Sequence, residues 1–145
     1  MIKTGSKGGS FVDSRKSIYT GGQQHGSNPI PAACLKNGLL VSGAVYGADP
    51  SAATPGAPDP GLDEQCAVLF ARIRDIVTAA GGGLEDIVKI SIRMADPAQR
   101  EVLNKHWLQH FPDPASRPAR HVEPMPAGRR LIAAEFMAML DREPS

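Results

Sequence analysis

The stretch Ser116-Arg117-Pro118-Ala119-Arg120-His121-Val122-Glu123 and the later run Leu131 to Leu140 (LIAAEFMAML) indicate how the rest of the chain is arranged. Side chains along a strand alternate between its two faces, so the run has one fully apolar face that helices can cover. Its second face is apolar except at Glu135. An antiparallel sheet covered on one side normally shows polar residues on the other. The apolar second face therefore predicts that partner subunits cover it.

Length and composition favour a single domain in the cytoplasm. The chain has 145 residues, enough for a substantial core, and a formal net charge of +1. The sequence has no block of like charges, so it does not predict binding to nucleic acid or to an anionic membrane surface. No apolar run reaches the length of a membrane span, and the N-terminus lacks a signal-peptide core. Cys34 and Cys66 have no metal-type spacing, so we expect both to be reduced.

Periodicity and turn residues predict an α+β fold with two helices on one face of a mostly antiparallel sheet. Asn37-Gly38 is typical of a tight hairpin turn, Asp96-Pro97 of a helix start, and 43–60 of a loop rich in Gly, Ala and Pro. The predicted elements are strands at 32–36 and 38–42, a helix at 63–80, a strand at 88–94, a helix ending at Pro112, and strands at 120–125 and 129–140.

The predicted domain spans residues 29–140, and 141–145 form a C-terminal tail. Residues 1–28 are rich in Gly and Ser and carry few apolar side chains, so we expect a mobile arm. The alternative is an arm that lies across a neighbouring subunit, anchored by Phe11 or Tyr19. In that case Gln23, Gln24 and His25 could reach a site.

Several short segments match one known family in residues, order and approximate spacing. These segments are Leu39-Leu40-Val41-Ser42-Gly43, Gln65, Ala79-Ala80-Gly81, Leu84 to Lys89, Asn104, Trp107, Phe111, Pro118-Ala119-Arg120, and Leu131 to Ala138. They resemble the RidA family of enamine/imine deaminases, also called YjgF or L-PSP proteins. The resemblance implies a chorismate-mutase-like domain in a homotrimer whose sheets form a central barrel, with sites between subunits. It also implies cofactor-free hydrolysis of a small enamine or imine.

Arg120 is the first candidate site residue, because a guanidinium can hold a carboxylate through two parallel hydrogen bonds. The resemblance gives Arg120 the role of binding the carboxylate of a 2-aminoacrylate-like or aminomuconate-like acid. The alternative is a structural salt bridge with Glu123 or Glu135. Arg117 is expected to be a surface or loop-anchoring charge.

The water-positioning glutamate of the family is expected at the place of Ala133, so Glu135, on the same strand face, is the candidate to replace it. Glu135 could equally be structural, across a subunit interface. The family tyrosine of the first strand is also missing. Ser42, Asn104 and His121 complete the predicted substrate-binding set; Asn104 could instead brace the loop near the site.

No metal or cofactor is predicted. His106 and His110 lie four residues apart, but no zinc-type motif accompanies them, and a place on the helix surface or at the core edge is the favoured interpretation. Two alternatives to a deaminase stay open: a non-catalytic protein that binds small keto acids, and an endoribonuclease. The near-neutral charge places the endoribonuclease last.

Overall fold

The computed structural model describes residues 14–21, 27–49, 56 and 58–141, with seven strands and two longer helices among them. Two 3₁₀ turns, Leu84–Asp86 and Pro97–Gln99, precede the strand that begins at Ile87 and the helix that begins at Arg100. The elements follow in the order β1 (Lys16–Ile18), β2 (Ala33–Lys36), β3 (Leu39–Ser42), β4 (Val45–Tyr46), α1 (Leu62–Ala79), β5 (Ile87–Met94), α2 (Arg100–His110), β6 (Ala119–Pro124) and β7 (Ile132–Met139).

All the described strands belong to one sheet with the order β1-β2-β3-β7-β5-β6, and β4 pairs with β7 beside this path. The pairings are antiparallel except between β5 and β6, which run parallel. Parallel neighbours need a long crossover connection, and α2 lies in it. The prediction of a mostly antiparallel sheet is confirmed, and β6 lies at its edge.

The hairpin between β2 and β3 is the clearest local prediction. Asn37 and Gly38 have φ values of 53° and 87°, the left-handed conformation that both central residues of a type I′ turn require. In the hairpin register, Leu35 pairs with Leu40 and Lys36 with Leu39. The turn therefore fixes which residues of β3 face the helices.

Both helices pack on one face of the sheet, as predicted. Asp96 caps the 3₁₀ turn Pro97–Gln99 directly before the second helix, since its carboxylate accepts a hydrogen bond from the Ala98 N–H at 3.1 Å; the helix itself begins at Arg100. Among the described residues, no helix combines the length and apolar character needed to cross a bilayer. The side chains with almost no exposed surface include Phe70, Phe136, Leu40, Leu69, Ile73, Ile76, Ile90, Ile92, Met94, Leu103, Ile132 and Gln65.

Two short strands were not predicted. β1 lies inside the expected arm 1–28, where Lys16–Ile18 pair with β2 and Ile18 is buried. The mobile-arm prediction is therefore wrong for these residues, because pairing with a neighbouring strand supplies order that so short a polar segment lacks. β4 lies in the predicted loop 43–60 and pairs with β7. Residues 1–13, 22–26 and 142–145, which include Phe11 and most of the predicted tail, lie outside the described residues.

The outer face of the sheet, opposite the helices, carries an exposed apolar patch, as the last strand predicted. Its members Leu39, Val41, Met137 and Met139 are 37%, 42%, 41% and 48% exposed. They come from neighbouring strands, since Leu39 pairs with Met139 and Val41 with Met137. We call these four residues the outer patch. A contiguous apolar surface of this kind is typical of an interaction site.

The two thiols should differ sharply in reactivity. Cys66 is fully buried, and burial raises the pKa of its thiol to about 11, whereas Cys34 is partly exposed. Because the thiolate is the reactive species, a thiol reagent should modify one cysteine of the folded protein and both after denaturation. Thiol titration of the wild type and of Cys34→Ser checks this, and rapid modification of the folded Cys34→Ser variant would contradict it.

Candidate functional site

Arg120 lies on the edge strand β6, on the side of the sheet that the helices cover. It is in register with Ile90 of β5, and Ile90 is also paired with Phe136; both apolar side chains are buried. The Arg120 Cζ atom lies 4.9 Å from the centroid of the Trp107 ring. An arginine over the face of an indole is held by cation–π attraction, which does not use its N–H donors. Trp107 therefore orients the guanidinium.

The Arg120 side chain has no carboxylate partner within the described part of the chain. The salt bridge with Glu123 or Glu135 that the sequence left open is not formed, because Glu123 contacts His121 and Glu135 contacts Arg93. Partial burial lowers the pKa of Arg120, and the positive charge of Arg100 lowers it further. An arginine keeps its charge under such conditions. The site therefore holds a half-buried cation without a protein anion.

One face of α2 carries a row of polar and aromatic side chains near β6. Arg100, Asn104 and Trp107 follow one another at helical spacings of four and three, so they lie in one row along the helix. Asn104 is partly buried between the exposed Arg100 and the buried Trp107. The 3₁₀ turn Pro97–Gln99 before α2 contacts β6. The row meets β6 through Trp107, which lies under Arg120, and we call Arg100, Asn104, Trp107 and Arg120 the α2–β6 cluster.

Glu135 lies on the opposite side of the sheet. It pairs with Ser91 of β5 and is more than half exposed, and its Oε2 atom is 3.7 Å from Nη2 of Arg93. Glu135 borders a cavity of about 110 Å³. Ala133, the other position considered, is 1% exposed. Since alanine has no carboxylate, Glu135 is the residue that offers one to this cavity. The cavity is lined by Val41, Ser42, Lys89, Ser91, Glu135, Phe136 and Met137.

Ser42 is buried in the wall of the same cavity. Its hydroxyl accepts a hydrogen bond from the Phe136 N–H at 2.8 Å and donates one to the Gly43 carbonyl at 2.8 Å. These bonds arise where the pairing of β3 with β7 ends at Val41, which leaves the Phe136 N–H to a side chain. A serine hydroxyl has one proton, so donation to a substrate would require release of the Gly43 carbonyl.

His121 projects to the outer face, opposite to Arg120, as strand alternation predicts. It is in register with Ser91 of β5, and its Nε2 atom lies 2.9 Å from Oε2 of Glu123. Both side chains of this pair are more than half exposed. His121 therefore lies on the Glu135 side of the sheet and outside the α2–β6 cluster.

Two further predictions outside the site are confirmed. Arg117 anchors the loop before β6, since its Nε donates to the Phe111 carbonyl at 2.8 Å and its Nη2 to the Pro112 carbonyl at 3.1 Å. His106 is buried with Nε2 2.8 Å from the Asp63 carboxylate, and the His110 ring stacks on Phe70. These contacts place both histidines at the edge of the helical core.

The predicted site residues of one chain thus lie in two separate groups. Arg120 and Asn104 belong to the α2–β6 cluster, while Glu135, Ser42 and His121 lie on or reach the outer face. Sequence reasoning did not single out Arg100, Lys89 or Ser91. Lys89 and Ser91 are the polar residues of an alternating strand, and ordinary surface residues show the same pattern, so the sequence does not distinguish them. For Arg100, the only signal is its spacing from Asn104 and Trp107.

Comparisons with known proteins agree with the fold. The sequence model of the endoribonuclease L-PSP family matches residues 26–127. A structure of RidA from an Antarctic Psychrobacter species is 23% identical, with a TM-score of 0.71 over 86% of this chain and 99% of that chain. A member of the YjgF/YER057c/UK114 family from Mycobacterium tuberculosis is 20% identical, with a TM-score of 0.71 over 88% of this chain and 100% of that chain.

A protein of unknown function from Pseudomonas aeruginosa is 18% identical and has a TM-score of 0.76 over 88% of this chain and 94% of that chain. A search of curated protein sequences gives no match. The structural likenesses confirm the predicted α+β, chorismate-mutase-like fold. At these identities they show the fold alone, while the family match covers more than half of the chain.

Proposed function

Because the chain belongs to the L-PSP family, which takes in the YjgF and Rid proteins, we propose that it is a cofactor-free deaminase of small enamine or imine acids. The observation that carries this proposal is Arg120, a half-buried cation held over Trp107 without a carboxylate partner among the described residues. Such a group is suited to bind an anionic substrate.

In the proposed complex, the Arg120 guanidinium donates two parallel hydrogen bonds to the substrate carboxylate. Partial burial strengthens this interaction relative to a solvent-exposed pair, because less water competes for the carboxylate. The imine carbon lies next to the carboxylate in a 2-imino acid. Fixing the carboxylate therefore fixes the distance from the imine carbon to any water-positioning group.

The reaction requires few groups. The enamine takes a proton on carbon to give the imine, and water adds to the imine carbon and forms a C–O bond. Proton transfer to nitrogen then allows the C–N bond to break, which releases ammonia and the keto acid. A carboxylate that accepts a hydrogen bond from the attacking water assists the addition. Glu135 is the proposed carboxylate, with Lys89 and Ser91 lining the same cavity.

Arg120 and Glu135 lie on opposite sides of one sheet, so we propose that two copies of the chain combine them in a site between subunits. The exposed outer patch supports association, because covering its four apolar side chains removes them from water. A homotrimer is the proposed assembly, on the family resemblance. Light scattering that gives a monomeric mass would contradict it.

Mixing inactive variants tests whether the site is composite. Arg120→Ala and Glu135→Gln should each be inactive alone, since each removes one half of the site. Unfolded together in equal amounts and refolded, they should regain activity at about one quarter of the sites, where both intact halves meet by chance. The measurement is the rate of imine hydrolysis before and after mixing. If the mixture is as inactive as its components, either both groups act within one subunit or one of them does not belong to the site.

The activity itself is tested by ammonia release from 2-aminoacrylate generated in the assay by a separate lyase. The wild-type protein should shorten the lifetime of the imine and raise the initial rate of ammonia formation. The matched control is Arg74→Ala, which removes an exposed arginine of α1 and should keep full activity. An imine lifetime unchanged by the wild type would exclude this activity.

A keto-acid-binding protein without catalysis is the second candidate. The favouring observation is that the proton of Ser42 is committed to Gly43, while Glu135 is exposed and next to Arg93. Thermal stabilisation by keto acids without turnover would support this candidate. We place endoribonuclease activity, from which the family model takes its description, last because the net charge of +1 gives little attraction for RNA.

A further inference from the structure

The cavity beside Glu135 also contains an amine without an ion-pair partner. Lys89 of β5 lines this cavity of about 110 Å³ together with Glu135 and Ser91. In the register of β5 with β7, Ser91 lies opposite Glu135 and Lys89 lies opposite Met137. Lys89 and Glu135 are therefore diagonal neighbours on the outer face, within reach of long side chains. The Glu135 carboxylate contacts Arg93 instead, and none of the salt bridges among the described residues includes Lys89.

The polar side chains around this cavity differ in what they can give to an imine. The nitrogen of a neutral imine carries a lone pair, and cleavage of the C–N bond requires that a donor transfer a proton to this nitrogen. The Ser42 hydroxyl already donates to the Gly43 carbonyl, and the Glu135 carboxylate is only an acceptor. Ser91 can donate a hydrogen bond, but a hydroxyl is a much weaker acid than an ammonium. Lys89, with three donors and no acceptor, is therefore the acid among the residues that line the cavity.

We propose that Lys89 is the catalytic acid of imine hydrolysis and protonates the nitrogen that leaves as ammonia. This inference rests on the proposed function, since it adds a residue to the same reaction. In the first step Glu135 accepts a proton from water as the C–O bond forms, and Lys89 gives a proton to the imine nitrogen. In the second step Glu135 accepts the proton of the new hydroxyl group and Lys89 protonates the amino group. The C–N bond then breaks, and its electron pair leaves with ammonia.

Lys89 and Glu135 can repeat this exchange, and the assembly shields them from water. An amine binds a proton more tightly than a carboxylate does, so the proton that Glu135 has accepted passes on to Lys89 after each step. Both groups thereby regain their starting charges, and no external acid or base is consumed. Val41 and Met137 belong both to the outer patch and to the lining of the cavity. A second copy that covers the outer patch therefore also closes the cavity, and less water then competes for the Lys89 ammonium.

Two replacements of Lys89 separate proton transfer from charge. Lys89→Met keeps the length of the side chain without an amine, whereas Lys89→Arg keeps the charge in a group that does not give up its proton. Both variants should lower the rate of 2-aminoacrylate hydrolysis at least about 100-fold, the usual contribution of general acid catalysis. Their affinity for pyruvate, the keto acid product, should be unchanged in titration calorimetry because Arg120 holds the carboxylate. Lys16→Met removes an exposed lysine at the other edge of the sheet and should keep the wild-type rate.

A Lys89→Met or Lys89→Arg variant that keeps most of the wild-type rate would overturn the inference, because a proton from Lys89 would then not be needed. So would a loss of pyruvate affinity as large as the loss of rate, since Lys89 would then act by binding the ligand. Circular dichroism checks that each variant is folded. The proposed function has a separate readout in the effect of the wild type on the imine lifetime. Full rates in the Lys89 variants would leave that function standing, whereas a wild type without turnover would overturn both.

Discussion

Replacing Arg120 with alanine should lower kcat/KM for imine hydrolysis at least about 30-fold, equivalent to roughly 2 kcal/mol of lost transition-state binding. The variant loses both hydrogen bonds to the carboxylate and the orientation that they give to the imine carbon. Arg120 is only half-buried and its main described contact is with Trp107. Loss of a cation–π contact of about 0.5–1 kcal/mol should lower Tm by only a few degrees.

Arg120→Lys separates charge from geometry. Lysine keeps the positive charge but cannot form the two parallel bonds of a guanidinium, so its kcat/KM should fall between those of the wild type and Arg120→Ala. Steady-state kinetics with circular dichroism checks that every variant is folded. Arg74→Ala should match the wild type in rate. If Arg120→Ala keeps the wild-type rate while folded, the carboxylate-binding role of Arg120 is wrong.

The fold could be predicted from the sequence wherever a pattern repeats several times within one element. β5 alternates from Ile90 to Met94 and β7 from Ala134 to Met139, and α1 carries a long apolar stripe, so their type and most of their buried faces follow from the sequence. Val88, predicted on the buried face of β5, is 50% exposed, because a register shift between Ile87 and Lys89 interrupts the alternation. β1 and β4 have only three and two residues, too few for a period. Their order comes from pairing with β2 and β7, a tertiary contact that local sequence does not encode.

The candidate site residues could be singled out from the sequence, but their relative positions could not. Arg120 and Glu135 stand out as charges beside apolar runs, yet their relation depends on the register of β6 and β7 against β5. In that register Ile90 meets Arg120 and Ser91 meets Glu135, which puts the two charges on opposite sides. A shift of one residue would reverse the face of either side chain. The sequence does not specify this register, because β6 is short and mainly exposed.

Gln65 shows the same limit in the core. The sequence marks it only as a match to the family, early in the first helix. In the structure it is fully buried, and its side chain links three backbone groups. Its Nε2 donates to the carbonyls of Pro60 and Arg129, both at 2.9 Å, and its Oε1 accepts from the Leu131 N–H at 2.8 Å. Gln65 therefore joins the start of α1 to the entry of β7, the strand that carries Glu135.

Replacing Gln65 with leucine should destabilise the protein by at least about 3 kcal/mol, because three buried backbone groups lose a partner at about 1–3 kcal/mol each. A side chain of similar size keeps the volume filled, so the loss reports hydrogen bonding rather than a cavity. Thermal unfolding should show Tm lower by about 10 °C. Gln109→Leu, on the exposed face of α2, is the matched control and should stay within about 2 °C of the wild type.

Gly47→Ala tests the same junction from the opposite side. A Cβ atom on Gly47 would lie 2.2 Å from the Gln65 carbonyl oxygen, and a backbone atom cannot move aside as the end of a side chain can. The added methyl must push β4 away from α1, and overpacking of this kind costs about 1–3 kcal/mol or more. Gln65→Leu changes the side chain of Gln65 and Gly47→Ala displaces its backbone, so their effects on the free energy of unfolding should not add in the double variant. A Tm within about 3 °C of the wild type for Gln65→Leu would show that water satisfies these backbone groups and that Gln65 does not hold β7 in place.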